Sequence, residues 1–390
     1  MASGCTLLVV KARAFVGVVA VASALVVGCS LLTSLDGLSG GSEVDGGKSS
    51  EGGGGGAETG TTDGAAGDGA SDGTAATSTF ILAAGGATPD VYESDVYVSR
   101  VAADGSLGTW VTAASLPGPR SKAALAVSGS RLFLTGGDAP SVGLTDTTFT
   151  TTFGADTVSS WASTTKLPSV LFRHGSFEYL GDVYLVGGSD PSVRTAVLRA
   201  TPAADGTLGS FRPELSLPTP RASAGVVRSN DHVYVIAGEE PPPGGGTTVA
   251  TAGAWVGPLD SAGSVTEWRS VAPLPFTTIQ PGIAATASHV YVSGGYASTS
   301  FTSVVSAPIA ADGSLASWTA VSPTLIGRAG HRMVATGGHL YVVGGTDTGG
   351  VATASVEVAD ILADGTLGAF RQTTPLPAAR AFMVVTAIDR

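Results

Sequence analysis

HRMVATGG (331–338) runs directly into HLYVVGG (339–345), two short apolar runs that each close on a pair of glycines. The first reads as a strand entering a tight turn and the second as a further strand. Two more strands follow, TASVEVADI (353–361) and LGAFRQTT (367–374), flanking the turn Ala363, Asp364, Gly365. Glycine there can adopt the positive φ that a tight hairpin demands. Four short antiparallel strands form a unit that cannot bury both of its faces alone, so it must stack on others of its kind.

Those others are present. The second glycine of the apolar run falls at Gly86, Gly137, Gly188, Gly238, Gly295 and Gly345, in steps of 51, 51, 50, 57 and 50 residues. An aromatic residue keeps the same beat as Trp110, Trp161, Phe211, Trp268, Trp318 and Phe370, in steps of 51, 50, 57, 50 and 52. Both series lengthen at the same unit, where a Pro/Gly stretch from Glu239 to Gly246 has no counterpart elsewhere. Periods of this length belong to propellers rather than helical solenoids. The chain is therefore expected to fold over residues 79–390 as an all-β, six-bladed β-propeller, with four antiparallel strands per blade and the aromatic residues wedged between blades. It enters at STFILAAGG (78–86), a second strand without its first, and ends at AFMVVTAID (381–389), a first strand without its second. These terminal segments should pair in one shared closing blade, which leaves the ring no free edge.

On these residues the chain resembles the kelch family, whose units form a four-stranded blade around a Gly-Gly and a distant Trp, as in the central domain of galactose oxidase. Departures exist. Ala237 replaces the first glycine of the fourth copy, Phe211 and Phe370 replace tryptophan, and the Tyr that usually precedes the Trp is largely missing. Galactose oxidase chemistry uses copper and a tyrosine crosslinked to cysteine, and this propeller has no cysteine for that crosslink. No metal and no cofactor are expected.

Ahead of the propeller, Lys11 and Arg13 precede an apolar stretch from Ala14 to Val27, then Gly28 and Cys29. The run is short of the roughly twenty residues of a membrane span and reads as a secretory leader, residues 1–28. Val26, Val27, Gly28 and Cys29 resemble a bacterial lipoprotein box. That resemblance implies a lipidated Cys29 and contact with the membrane through the N-terminal lipid, and Ser30 in place of Asp implies the outer membrane of a bacterial cell envelope. An ordinary cleaved leader and an uncleaved anchor are the alternatives. Residues 30–78 are rich in Gly, Ser, Ala, Thr and Asp and lack aromatics, the composition of a disordered linker. With Cys29 they make a tether over 29–78, whose mean reach is about 35–42 Å by flexible-coil scaling. Asp63, Asp68 and Asp72 lack the alternating ligands and closing Glu of a calcium loop. The only cysteines are Cys5 and Cys29, so the propeller has no disulfide to lean on.

Of the net charge of −11, the leader contributes Lys11 and Arg13 and the linker eight acids against Lys48, leaving about −6 on the propeller. No basic stripe is visible, which argues against a nucleic-acid partner. The propeller carries neither a zinc-protease HExxH nor a phosphate-cradling GxxxxGK[ST], but sites in this fold gather residues from different blades and leave no contiguous trace.

The constellation that repeats is an Arg after a Leu-Pro-like segment: Arg120, Arg173, Arg221, Arg328 and Arg380, with Ile279 and Gln280 in the remaining unit. Each starts an innermost strand. The loops after Gly-Gly reach the same end of the channel and carry Asp90, Asp138, Asp190, Glu239, Glu240, Tyr296 and Asp347. Five guanidiniums and several carboxylates are thus expected at one mouth, with the five arginines, Asp138, Asp190, Glu239 and Asp347 as the binding residues. Two roles are open to the arginines. They can grip carboxylates or sugar hydroxyls with their fork of donors, or they can pair with loop carbonyls and acids and brace adjacent blades. His174 and His331 lie near the channel, where a histidine can act as general base or simply complete a hydrogen bond; no catalytic residue is assigned. His232, His289 and His339 read as turn residues, Tyr184, Tyr234, Tyr291, Tyr341 and Phe133 as core, and Asp104, Asp205, Asp312 and Asp364 as hairpin-turn residues.

The expected function is that of a membrane-anchored, extracytoplasmic binding scaffold, a monomer, presenting propeller loops to a protein or a glycan. A carbohydrate-active enzyme similar to kelch-type sialic acid mutarotases, and a purely structural envelope component, are the alternatives. A propeller hosts unrelated activities, so fold alone does not choose among them.

Overall fold

His339–Val343 is buried along nearly its whole length, and so are its counterparts Asp182–Val186 and His232–Ile236. Both alternating sets of side chains are covered because each sheet is sandwiched between two neighbours, which explains why these strands read as unbroken apolar runs. The computed structural model describes residues 78–140, 142–296 and 301–390; the leader, Cys29 and the linker lie outside the described residues. There the chain forms six antiparallel sheets, each with a path of four strands.

From inner to outer strand, blade one is Val384–Asp389, Thr79–Ala84, Val96–Arg100 and Val111–Thr112, and blade two is Ala124–Ser128, Arg131–Thr135, Thr148–Gly154 and Ala162–Ser163. Blade three is Gly175–Tyr179, Asp182–Val186, Val197–Ala200 and Arg212–Pro213, and blade four is Gly225–Ser229, His232–Ile236, Ala254–Pro258 and Arg269–Val271. Blade five is Gly282–Ala285, His289–Ser293, Val304–Pro308 and Thr319–Val321; blade six is Arg332–Thr336, His339–Val343, Val356–Asp360 and Arg371–Thr373. The outer strands are shorter than expected. Among the described residues, three of the loops after Gly-Gly are small ribbons, for example Ser189–Asp190 paired with Ser192–Val193 and Glu239–Glu240 paired with Val249–Ala250.

The two ends of the chain close the ring. Thr79–Ala84 pairs with Val384–Asp389 in an antiparallel register from Thr79 opposite Asp389 to Ala84 opposite Val384. Reciprocal bonds between Ser78 and Arg390, at 2.7 and 2.9 Å, extend the ladder. The six innermost strands touch one another in sequence around the axis, the last meeting the first.

Packing energy sits in the joints. Six hydrophobic clusters fill the six interfaces between consecutive blades, such as Leu82, Val98, Leu132 and Trp161 between blades one and two. The tryptophans also bond across them: Nε1 of Trp110, Trp161, Trp268 and Trp318 donates to the carbonyls of Thr374, Ala114, Leu215 and Ala272, each on the preceding blade. Phe211 and Phe370 have no such donor. At the far rim, the hydroxyls of Tyr184, Tyr234, Tyr291 and Tyr341 donate to Gly263, Gly313, Gly365 and Gly105 in the hairpin turns of the next blade. Four hairpin turns on this rim are held by an aspartate. Asp104, Asp205, Asp312 and Asp364 each accept the amide and hydroxyl two residues on, which lowers their pKa below the usual carboxylate value.

The paired glycines mark close backbone contact between blades. A Cβ on Gly136 (φ 56°) would stand 2.2 Å from the carbonyl oxygen of Leu171 in the next blade, and one on Gly137 (φ 98°) 2.7 Å from that of Ser121. Positive φ and absent Cβ together require glycine there.

Candidate functional site

At the Gly-Gly end, six amides form a closed belt around the axis. Lys122 donates to Phe382, Arg173 to Lys122, Ser223 to Arg173, Gln280 to Ser223, Gly330 to Gln280 and Phe382 to Gly330, at 2.8 to 3.2 Å. To make these bonds all six residues adopt left-handed φ between 53° and 62°. Only one is glycine. For the other five the conformation costs roughly 1–2 kcal/mol each, offset by the bond and the closure it completes. Strain of this kind concentrates at sites where side chains must be held in place.

Below the belt lies a cavity of about 170 Å³, lined by Lys122, Arg173, Ser223, Gln280 and Phe382 from the belt and by His174, Ser176 and Arg332 among others from the inner strands. Its charges are unevenly matched. Arg173 Nη1 lies 2.5 Å from Glu239 Oε1, which also accepts from Ser223 Oγ at 3.0 Å, while Glu239 Oε2 accepts from Thr248 at 2.9 Å. Lys122 has no carboxylate partner among the described residues and instead sits 5.2 Å from the Phe382 ring. Burial, then the charge of Arg173, pulls its pKa down. Arg332 has only the His331 carbonyl, at 3.3 Å, and burial pushes its pKa down to about 10. Asp138 and Glu239 act on Lys122 from a distance and partly offset this, but a cation held in a poorly hydrated site without a directly paired counter-charge favours an arriving anion.

The expected cluster of five guanidiniums is not what the structure brings together. The residues whose carbonyls accept from the second glycine of the preceding blade are Arg120, Leu171, Arg221, Thr278, Arg328 and Arg380. Arg173 therefore belongs to a different position, two residues further on. Arg120, Arg221, Arg328 and Arg380 are buried and turn back into their own blades. Nη1 of Arg120, Arg328 and Arg380 donates to Gly136, Gly344 and Gly85 at 2.9, 2.9 and 3.1 Å. Arg328 also pairs with Glu357, both fully buried. Arg380 lies over Tyr97 at 4.7 Å. Arg221 Nη1 lies 2.9 Å from Glu240 Oε2, an ion pair by distance though not aligned as a hydrogen bond. Bracing is what these four do. Desolvating a charge is unfavourable unless it is matched, and the blade interior supplies the matching carbonyls and acids.

The carboxylates divide similarly. Glu239 meets Arg173 in the mouth, and Asp138 accepts the Tyr92 hydroxyl at 2.8 Å. Burial and that bond push the Tyr92 pKa up to about 12. Asp190 pairs with Ser169 and Arg194, and Asp347 accepts the amides of Gly349 and Val351, shaping its own loop. His174 and His331 bond Thr135 and Ser293 through Nε2 at 2.8 Å each. Burial drives the His174 pKa down to about 3 and that of His331 well below its usual value, so both rings are neutral near pH 7.

A kelch motif model matches residues 327–358, the first two strands of blade six and the start of its third. The chain is a six-bladed β-propeller that carries a kelch motif in its last blade. A solved structure described as that of YjhT aligns with a TM-score of 0.58 and 16% identity, over 74% of this chain and 96% of that one. No curated protein matches the sequence. In this propeller the mouth residues that sequence reasoning passed over are Lys122, Ser223, Arg332 and Tyr92. The available signal was position: Lys122, Arg173, Ser223 and Gln280 stand at one place in successive repeats, and their side chains share nothing.

Proposed function

We propose that this kelch propeller is a binding module held at the bacterial envelope by a lipid on Cys29, and that its mouth takes an acidic glycan. The observation that carries this reading is the pair of cations without a directly bonded carboxylate among the described residues, Lys122 and Arg332, in the channel of a propeller whose overall charge is negative. A sugar carboxylate supplies the missing counter-charge, while Arg173, Ser223, Gln280 and Glu239 offer donors and acceptors to hydroxyls. Ser78 stands at the opposite end of the strand Thr79–Ala84 from Gly85, so a linker leaving from Ser78 starts at the face away from the mouth.

A glycan array of matched acidic and neutral oligosaccharides tests the reading. Retention of acidic glycans, lost with Lys122→Met in a folded protein, is expected; equal retention of neutral ones, or no effect of the substitution, refutes it. A second reading, a carbohydrate-active enzyme, draws on the two carboxylates Asp138 and Glu239 beside the mouth. Interconversion of sugar anomers that disappears in Glu239→Gln would establish it. A protein that binds and converts nothing is left with the structural role.

A further inference from the structure

Four of the six blades carry an arginine at one position beside the inner strand, three of them reaching the same backbone carbonyl, and blade three leaves that position open. In blades one, two and six the guanidinium reaches the carbonyl of the blade's first glycine: Arg380 to Gly85, Arg120 to Gly136 and Arg328 to Gly344. In blade five Thr278 Oγ1 reaches Gly294 at 3.0 Å. In blade three Leu171 occupies the position and has nothing to donate. Its surroundings change with it: Thr147 accepts a bond from Arg120 and Phe149 faces it in blade two, whereas Ala196 and Leu198 stand there in blade three.

The exchange leaves a cavity of about 240 Å³, with Leu171, Leu185, Ala196 and Leu198 along its wall and Gly187, Ser169, Asp190 and the Arg194 paired with Asp190 at its polar end. No donor among the described residues reaches the Gly187 carbonyl. Asp190 is 8% exposed. It accepts one bond from Ser169 and one from Arg194, which leaves part of its capacity of about four acceptor sites free. A buried carbonyl and a buried carboxylate therefore close the end of a slot whose shape the fold elsewhere fills with arginine.

We propose that this slot binds an alkyl guanidinium, carried by a peptide arginine or by a small molecule. The aliphatic stem lies along the leucines, and the planar fork spans the Gly187 carbonyl and the Asp190 carboxylate, an arrangement a single ammonium covers less well. The site lies outside the channel and stands independently of the function proposed for the mouth.

Titration of the full protein with n-butylguanidinium, followed by NMR, tests the proposal. Saturable binding is expected, weakened at least tenfold by Leu171→Arg, which supplies an internal guanidinium, by Ala196→Leu, which fills the wall, and by Asp190→Asn. Lys122→Met should leave it unchanged. N-acetylarginine N-methylamide separates the sources: binding of this probe assigns a peptide arginine, and its failure where butylguanidinium binds assigns a small molecule. No saturable binding, equal affinity for 1-pentanol, or undiminished binding in the two slot-filling variants would overturn the site. If Leu171→Arg does not fold, Ala196→Leu decides.

Discussion

The two ends of the propeller repeat different things. At the turn end the repeats reuse the same side chains: a tyrosine hydroxyl on a glycine carbonyl in four joints, and an aspartate bound to the amide and hydroxyl two residues on in four turns. At the mouth the repeats keep the backbone, six left-handed residues in one hydrogen-bonded belt, and fill it with Lys, Arg, Ser, Gln, Gly and Phe. Where the side chain recurs it is holding blades together. Where only the backbone recurs, the side chain is free to serve a ligand.

That contrast predicts large stability effects from the recurrent residues and small ones from the mouth. Deleting residues 381–390 removes the inner strand of blade one and should abolish the cooperative thermal transition, and an unchanged melting curve would contradict ring closure. Glu357→Ala strands the fully buried Arg328 and should cost about 3–5 kcal/mol in chemical denaturation, as for other broken buried pairs; a loss below about 1 kcal/mol would mean that Arg328 is satisfied by carbonyls alone. The histidines bear on acid stability. Their folded pKa values lie below the unfolded value near 6.5, so the stability linked to the neutral rings is complete above pH 6.5 and is lost as pH falls toward about 3 for His174. Wild type should lose on the order of 1 kcal/mol per pH unit and per histidine over that window, and a His174→Gln, His331→Gln variant should show a flatter profile; parallel curves would refute it. Tyr341→Phe should cost about 1 kcal/mol, whereas Gln280→Ala, in the belt, should stay within about 0.5 kcal/mol. Equal costs would erase the distinction between the two ends.

The same contrast explains what the sequence disclosed. Blade count, the shared closing blade, the tyrosine core and the hairpin aspartates were all legible, because each is written several times and spacing cancels local noise. The arginines were legible as a series and misleading as a site. Recurrence drew attention to them, yet recurrence is what a blade brace looks like, and Arg173 joined the series only because Leu171 had taken the true position two residues before it. Lys122 and Ser223 were invisible for the complementary reason, and Gln280 was noticed only as a gap in the arginine series: their common feature is a φ angle, which no residue type announces when glycine is not used. The carboxylates could be assigned to loops but not to partners, since Asp347 bonding its own loop and Glu239 bonding Arg173 differ by side-chain direction rather than by position.

The belt also has a mechanical consequence. A circle of amide bonds has no loose end from which to unzip, and moving any member outward strains the bonds on both sides of it. The bore is therefore of fixed calibre, determined by how many blades share the circumference, while its chemistry can be rewritten one blade at a time. Guests should be sieved by width before they are sorted by charge.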